Sequence, residues 1–432
     1  MNLKLNAFFG LMGFLLPSVA MFSCYPVIIS KLGSDAFGVF ILVLSIPGFV
    51  RIVDLGFFAA TIRFIALDLS NGNFKGVGHV CITSLFFYLL IGIVGSLVTW
   101  IISPWLITIL NISNELADNA LVAFYLAAIQ IPAVMLVACI TSIFKGLERF
   151  HLSTWVLSFQ SFLSYGSVAV GGYFFDFSLR EMIETTVVVN YIVLFFSCLV
   201  GFFLARKLGI VWSLSFSIKE VFKRMFGFGY IMAINSIVTV LVTQLPKFII
   251  SWSLGPPAVG IYTIVFSVSS KVQAAVNSAV EVLFPYTSRT TDLIRLKHVL
   301  KRIFIASSLV AFLSSLILWT YSYEILNLWV GKEMAENGAL LLKLFSVSIF
   351  FLAVSASPYH LINGLGIPWK NTQLILFHFA CLISSLTLFS FFDVSLLTAF
   401  GYAFIFANFL LLIAYLVISN RLLKANSTLG II

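Results

Sequence analysis

Arg51 and Asp54 stand three residues apart in a stretch of chain, about 37–67, that is otherwise strongly apolar. Lys247, Lys271 and Glu281 are embedded in further apolar stretches, with Lys343 nearer the start of another. An ionised side chain at the centre of a bilayer costs about 2.5–3.5 kcal/mol even on the lenient insertion scale, so such residues should face a partner or a water-filled cavity. The spacing of Arg51 and Asp54 puts them on one helical face, close enough to pair. Two readings follow: a structural ion pair, or an Arg51 presented to a lumen with Asp54 holding it in place or titrating. Lys247 follows Pro246 and has no acidic neighbour at helical spacing, so it either faces a lumen or snorkels to the nearby helix end. Glu281 is a candidate proton carrier, or else a partner for Arg289 or Lys301. The cations Arg51, Lys247 and Lys271 outnumber the acids Asp54 and Glu281. Such an interior suits an anionic substrate, because bringing a phosphate into low dielectric requires compensating positive charge.

Membrane-spanning helices must carry these charges. Hydrophobic residues make up 61% of the 432-residue chain and charged residues only 9%, with a mean hydropathy of +1.10; a soluble domain is nearer half apolar and a quarter charged. Twelve apolar runs are read, near 7–30, 37–67, 79–110, 119–144, 152–175, 185–205, 227–253, 258–287, 303–323, 337–362, 370–392 and 396–420. Their length suits membrane helices, and they lack the alternation of barrel strands. Lys4 and Ser18-Val19-Ala20 imitate a cleavable signal, but apolar character continues to Ile29, so the first run is expected to be a retained helix. Prolines interrupt several runs, and Pro26 and Pro246 mark the first and seventh as helices that can bend.

Other chemistries find no support. The five cysteines are scattered in or beside apolar runs without C-x-x-C spacing, and the five histidines show no metal-ligand spacing. Neither G-x-x-x-x-G-K-[ST] nor G-x-G-x-x-G occurs, so neither nucleotide-driven pumping nor any cofactor is expected, and the chain does not read as an enzyme. The outer loops are too short for the domain that a membrane polysaccharide polymerase usually carries. The net charge of +9 reflects topology rather than nucleic-acid binding: eighteen of the 25 Lys and Arg fall on one side of the runs, against Lys31, Arg180 and Lys332 on the other. The positive-inside rule then puts both termini in the cytoplasm, which requires an even number of helices.

Leu32-Gly33-Ser34-Asp35-Ala36-Phe37-Gly38-Val39-Phe40 returns 222 residues later as Leu254-Gly255-Pro256-Pro257-Ala258-Val259-Gly260-Ile261-Tyr262. Both copies read L-G-x-x-A-x-G-x-aromatic, and both fall between two long apolar runs. Internal duplication of a membrane chain is the mark of transporters, in which alternating access rocks one repeat against the other. In this register Lys271 falls within two residues of the position equivalent to Arg51, so each half carries a cation near the middle of its second helix. The expected organisation is an N-terminal six-helix bundle (1–205), a cytoplasmic linker (206–226) and a C-terminal six-helix bundle (227–432), all-α and polytopic, with the repeats parallel. Within the linker Ile218, Val221, Phe222, Met225 and Phe226 form one helical face opposite Lys219, Glu220, Lys223 and Arg224, an amphipathic pattern suited to the headgroup region. Replacing Lys219 or Arg224 is expected to matter little.

Lys31-Leu32-Gly33-x-x-x-Phe37-Gly38, then Val53-Asp54-Leu55-Gly56-Phe57 and Arg63-Phe64-Ile65-Ala66, resemble the opening of bacterial polysaccharide-repeat flippases of the Wzx type. Gly146-Leu147-Glu148-Arg149-Phe150 and the second-half Leu254-Gly255-x-x-x-Val259-Gly260-Ile261-Tyr262 are similar to that family too. The resemblance implies the two-bundle fold shared with multidrug-and-toxin extruders (the MATE-like MOP superfamily). It also implies a bacterial inner-membrane protein that carries an undecaprenyl-diphosphate-linked oligosaccharide, an O-antigen or related repeat unit, from the cytoplasmic to the periplasmic leaflet. Membrane lipids are the surrounding partners, H+ or Na+ the coupling ion, and a polymerase of the same pathway a candidate partner. In this reading Arg51, Lys247 and Lys271 bind substrate, and Asp54 and Glu281 serve ion coupling or orientation. A multidrug exporter on the same scaffold and, less favoured, a membrane polysaccharide polymerase are the alternatives.

Overall fold

The computed structural model describes residues 3–54, 56–210, 218–280, 283, 293–392 and 394–429. All regular structure among them is helical. A chain with so little polar surface in a bilayer has to satisfy its backbone hydrogen bonds within each segment, which a helix does and an open strand does not. The first elements are α1 (Leu3–Val50), a 3-10 turn (Arg51–Asp54), α2 (Phe57–Ser70), α3 (Phe74–Ile109), α4 (Asn114–Gly146), α5 (Phe150–Phe175), α6 (Leu179–Lys207), α7 (Ile218–Leu254) and α8 (Pro256–Val280). They are followed by α9 (Leu293–Thr320), α10 (Ser322–Val330), α11 (Lys332–Val354), α12 (Ala356–Gly364), α13 (Pro368–Phe389) and α14 (Leu396–Leu429).

Among the described residues ten segments are long and apolar enough to cross a membrane. One of them lies in α1, whose 48 residues would extend roughly 70 Å at 1.5 Å per residue, over twice the ~30 Å hydrocarbon core. It is broken at Gly33, which has φ 75° and ψ 172°; that break divides it into two passes. α5, with 26 residues, is long enough to span but is diluted by Ser, Gln and Gly. Counted this way, the helices agree with the twelve runs read from the sequence.

The repeated motif has a structural meaning. Gly33 and Gly255 both adopt positive φ, 75° and 80°, a conformation that a Cβ disfavours. The second glycine of each copy then sits against the other copy. A Cβ on Gly38 would lie 1.9 Å from the carbonyl oxygen of Pro256, and one on Gly260 would lie 3.0 Å from Phe37 Cδ1.

The chain forms two compact units, Met1–Gly260 and Ile261–Ile432. In the first, α4 is central and packs on α1, α2, α3, α5 and α6. Its buried Ala120, Ala123, Ala127, Ala128 and Ala133 keep that approach close. Small residues do this work in membranes, where dispersion and close contact rather than water exclusion hold helices together. The lipid-facing sides are large and apolar, as with Phe195, Phe196, Phe202 and Phe203 on α6. In the second unit α14 packs on α11 and α13 and presents Ala399, Ala403 and Ala407 on one buried stripe.

α7 belongs to the first unit. Its Phe222 lies 5.0 Å from the Phe57 ring and 5.4 Å from the Phe87 ring, centroid to centroid. The Arg224 guanidinium reaches Asp68 at 3.6 Å and lies 4.4 Å over Phe64. The amphipathic segment therefore spends part of its apolar face on α2 and α3, where the sequence pattern suggested lipid headgroups. Lys219 and Lys223 remain exposed. Residues 211–217 of the linker lie outside the described residues.

Candidate functional site

The second pass is not a continuous helix. α1 ends at Val50 with Pro47 in its last turn, the chain makes the Arg51–Asp54 turn, and α2 begins after Gly56, which has φ 76°. Proline leaves a carbonyl without its helical donor, and a left-handed residue cannot continue the helix. The break puts Arg51 and Asp54 on different errands. Asp54 is buried and caps α2: its Oδ1 and Oδ2 accept the Phe58 N–H at 3.2 and 3.4 Å. The Tyr88 hydroxyl of α3 donates to Oδ1 as well. A carboxylate at a helix N-terminus is also favoured by the helix dipole. Among the described residues no ion pair joins Arg51 to Asp54, so the direct pairing expected from their spacing is not formed. The Asp54 carboxylate is instead taken up by the Phe58 N–H and the Tyr88 hydroxyl.

Arg51 instead faces a cavity of about 250 Å³ inside the first unit. Phe40, Leu44, Pro47 and Gly48 of α1 line it, with Gln130 and Val134 of α4, Gln160, Ser161, Ser164 and Tyr165 of α5, and Thr186 and Asn190 of α6. Three amides form a chain along it. Gln160 Nε2 donates to Asn190 Oδ1 at 2.7 Å, and Asn190 Nδ2 donates to Gln130 Oε1 at 3.0 Å. Gln130 is 1% exposed, and its Nε2 has no partner. A buried donor left unmade costs about 1–3 kcal/mol. Such a group in a native core calls for an explanation. The sequence reading passed over these amides because they carry no charge. Their available signal was weaker: a polar amide within an apolar membrane run seeks the helix interior.

Lys247 reaches α1 from α7. Its Nζ donates to Ser45 Oγ and Gln244 Oε1, each at 3.0 Å, and Ser45 Oγ donates to the Ile41 carbonyl at 2.7 Å. The ammonium is thus held between α7 and α1 by two neutral oxygens. Gly48 makes this approach possible, since a Cβ there would lie 3.2 Å from Gln244 Cδ. Lys271 is half-buried in α8, within the second unit. Glu281 lies outside the described residues. Lys145, in the last turn of α4, has its Nζ 5.2 Å from the centroid of Phe58, the residue whose N–H caps onto Asp54. Among the described residues no group of three His, Cys, Asp or Glu could hold a metal ion.

Comparison with known proteins places this architecture. The sequence model of a family described as "Polysaccharide biosynthesis protein" matches residues 4–291. A Shigella flexneri protein named "Putative O-antigen transporter" is 26% identical over 391 residues, which cover 90% of this chain and 90% of that protein. The inward-facing conformation of a multidrug resistance MATE family transporter of the MOP superfamily superposes with a TM-score of 0.81 at 13% identity, over 97% of this chain and 96% of that one. The outward-facing conformation of a MATE family transporter gives 0.69, also at 13% identity, over 98% and 95%. At these identities the structural likeness establishes a MATE-like fold and nothing finer.

Proposed function

The chain belongs to the polysaccharide biosynthesis protein family, and from that premise we propose that it is a flippase. Its cargo in this reading is an undecaprenyl-diphosphate-linked oligosaccharide, an O-antigen or related repeat unit. The lipid is carried from the cytoplasmic to the periplasmic leaflet of the bacterial inner membrane by ion-coupled alternating access, with both termini cytoplasmic. The functional organisation proposed from the internal repeat is an N-terminal bundle (1–205), a linker (206–226) and a C-terminal bundle (227–432), with α7 counted by the repeat although it packs within the first compact unit. No covalent chemistry is assigned to the chain.

One observation carries the reading: a membrane-embedded cavity has an arginine, Arg51, on its wall and no acidic side chain among its lining residues. A guanidinium suits a diphosphate through paired, charge-assisted hydrogen bonds. Arg51, Lys247 and Lys271 are assigned to the diphosphate or to acidic sugars. Asp54 fixes the orientation of Arg51 through the backbone of the turn they share, and it remains, with Glu281, a candidate for the coupling ion, H+ or Na+.

The test is deletion of the chain in its host, reading surface polysaccharide and the lipid-linked precursor pool together. Loss of surface polymer, with repeat units trapped on the cytoplasmic leaflet, supports the flippase. Intact polymer with new sensitivity to cationic drugs overturns it in favour of an exporter.

A further inference from the structure

The cavity of the first unit holds more polar chemistry than a phosphate requires. Arg51 alone would serve an anion, yet the wall also carries three amides, three hydroxyls beside that of Tyr165, and two aromatic rings. The amides are arranged with a direction. Gln160 donates to Asn190 and Asn190 donates to Gln130, which leaves the buried Gln130 Nε2 as an unspent donor at one end and the Gln160 carbonyl oxygen as an acceptor at the other. Two hydroxyls already donate their hydrogen bonds to backbone carbonyls. Ser161 Oγ donates to the Leu157 carbonyl and Thr186 Oγ1 to the Met182 carbonyl, each at 3.0 Å. What they retain toward a ligand is acceptor capacity.

The wall therefore offers donors at Gln130 and Arg51 and acceptors at Gln160, Ser161 and Thr186, with Phe40, Pro47, Val134 and Tyr165 between them. A ligand matching that pattern has groups that both donate and accept, set around a ring with apolar C–H faces. That describes a sugar. A hydrophobic cation would waste the amides and meet Arg51. A bare phosphate would find acceptors where it needs donors. At about 250 Å³ the cavity is smaller than the roughly 300–1,000 Å³ of sites that enclose drug-sized ligands, so it takes one ring rather than an oligosaccharide.

We infer that the cavity walled by α1, α4, α5 and α6 is a subsite for one sugar ring of the cargo, with Gln130, Gln160 and Asn190 reading its hydroxyl or amide groups beside the phosphate-binding Arg51. This rests on the flippase reading and adds to it a location for sugar discrimination. Discrimination here comes from unpaired polar groups: a ligand without the matching hydroxyls leaves Gln130 Nε2 unsatisfied, and such mismatches separate ligands far more strongly than a missing methylene does.

The experiment uses the full-length chain in proteoliposomes with two probes, undecaprenyl diphosphate bearing one N-acetylhexosamine and bare undecaprenyl diphosphate. The wild type should translocate the glycosylated lipid at least tenfold faster. Gln130→Met and Asn190→Leu should each lower the ratio of the two rates at least tenfold, while Arg51→Ala slows both probes. Gln160→Met, at the half-buried end of the amide chain, is the second route if the buried variants fail to fold, as judged by monodispersity in detergent. Lys219→Ala should leave the ratio as it is. Folded Gln130, Asn190 or Gln160 variants that keep the wild-type ratio overturn the sugar subsite and leave the flippase standing. A wild type that moves both probes equally also overturns the subsite. A wild type that moves neither overturns both.

Discussion

Gly38 lies so close to Pro256 that a Cβ at position 38 would sit 1.9 Å from the Pro256 carbonyl oxygen. The two residues occupy different positions of one motif, in copies 222 residues apart. Because the obstacle is backbone, it cannot swing aside as a side chain tip would. Gly38→Ala should therefore destabilise the folded chain by about 1–3 kcal/mol, the usual range for overpacking. Gly260→Ala meets the edge of the Phe37 ring at 3.0 Å and should cost less. Thermal melting of the two purified variants in detergent checks the order; equal melting temperatures would mean that the motif contact does not support the fold.

Tyr88 and Asp54 make the next case. The phenol of α3 and the Phe58 N–H of α2 share one buried carboxylate, so the turn carrying Arg51 is fixed from two helices. Hydrogen bonds to charged groups contribute roughly 1.5–3 kcal/mol. Tyr88→Phe should lower stability by about that much and reduce polymer display in proportion, since the turn would loosen without losing its cation. Melting and surface polysaccharide measured on the same preparations would decide it; a variant with unchanged stability would mean that the bond contributes nothing net.

Much of this was legible in the chain. The helical class, the twelve passes and the duplicated L-G-x-x-A-x-G motif follow from hydropathy and self-similarity, because a bilayer leaves few alternatives to a long apolar helix. Arg51 announced itself through the cost of an ionised side chain within an apolar membrane run. The break in which it sits did not, because residues 37–67 read as one apolar run and only the left-handed Gly56 and the turn itself reveal the interruption. Gln130, Gln160 and Asn190 were invisible as a set: they sit on three helices, and a hydrogen-bond chain across helices leaves no spacing in the sequence. The attachment of α7 to the first unit was hidden for the same reason, since Phe222 meets Phe57 and Phe87 only in three dimensions.

Arg224 shows where contact geometry outweighs pattern. The amphipathic reading treats Lys219 and Arg224 as equivalent anchors, yet only Arg224 reaches Asp68, at 3.6 Å, and stacks over Phe64 at 4.4 Å. Asp68 is buried, at 5% exposure, so the pair lies partly out of water, and an arginine over an aromatic face adds about 0.5–1 kcal/mol at an exposed site. Arg224→Ala should lower the melting temperature and expose the start of α7 to protease, whereas Lys219→Ala should do neither. Limited proteolysis of the two variants side by side distinguishes them, and equal cleavage would return Arg224 to the role of a simple anchor.

Lys247 separates structure from function most cleanly. Its ammonium is held by Ser45 and Gln244, two neutral oxygens at 3.0 Å, and among the described residues no carboxylate forms an ion pair with it. Lys247 is partly buried, and a cation drawn out of water without a countercharge carries a desolvation penalty that neutral hydrogen bonds offset only in part. Methionine has nearly the same length and no charge, so Lys247→Met should leave membrane expression intact and hold or raise thermal stability. If Lys247 meets the diphosphate, the same substitution should reduce surface polysaccharide at least tenfold. Surface polymer and melting temperature of Lys247→Met, measured together, give the answer: stability retained with display lost assigns the charge to the cargo, while display retained removes Lys247 from the binding site.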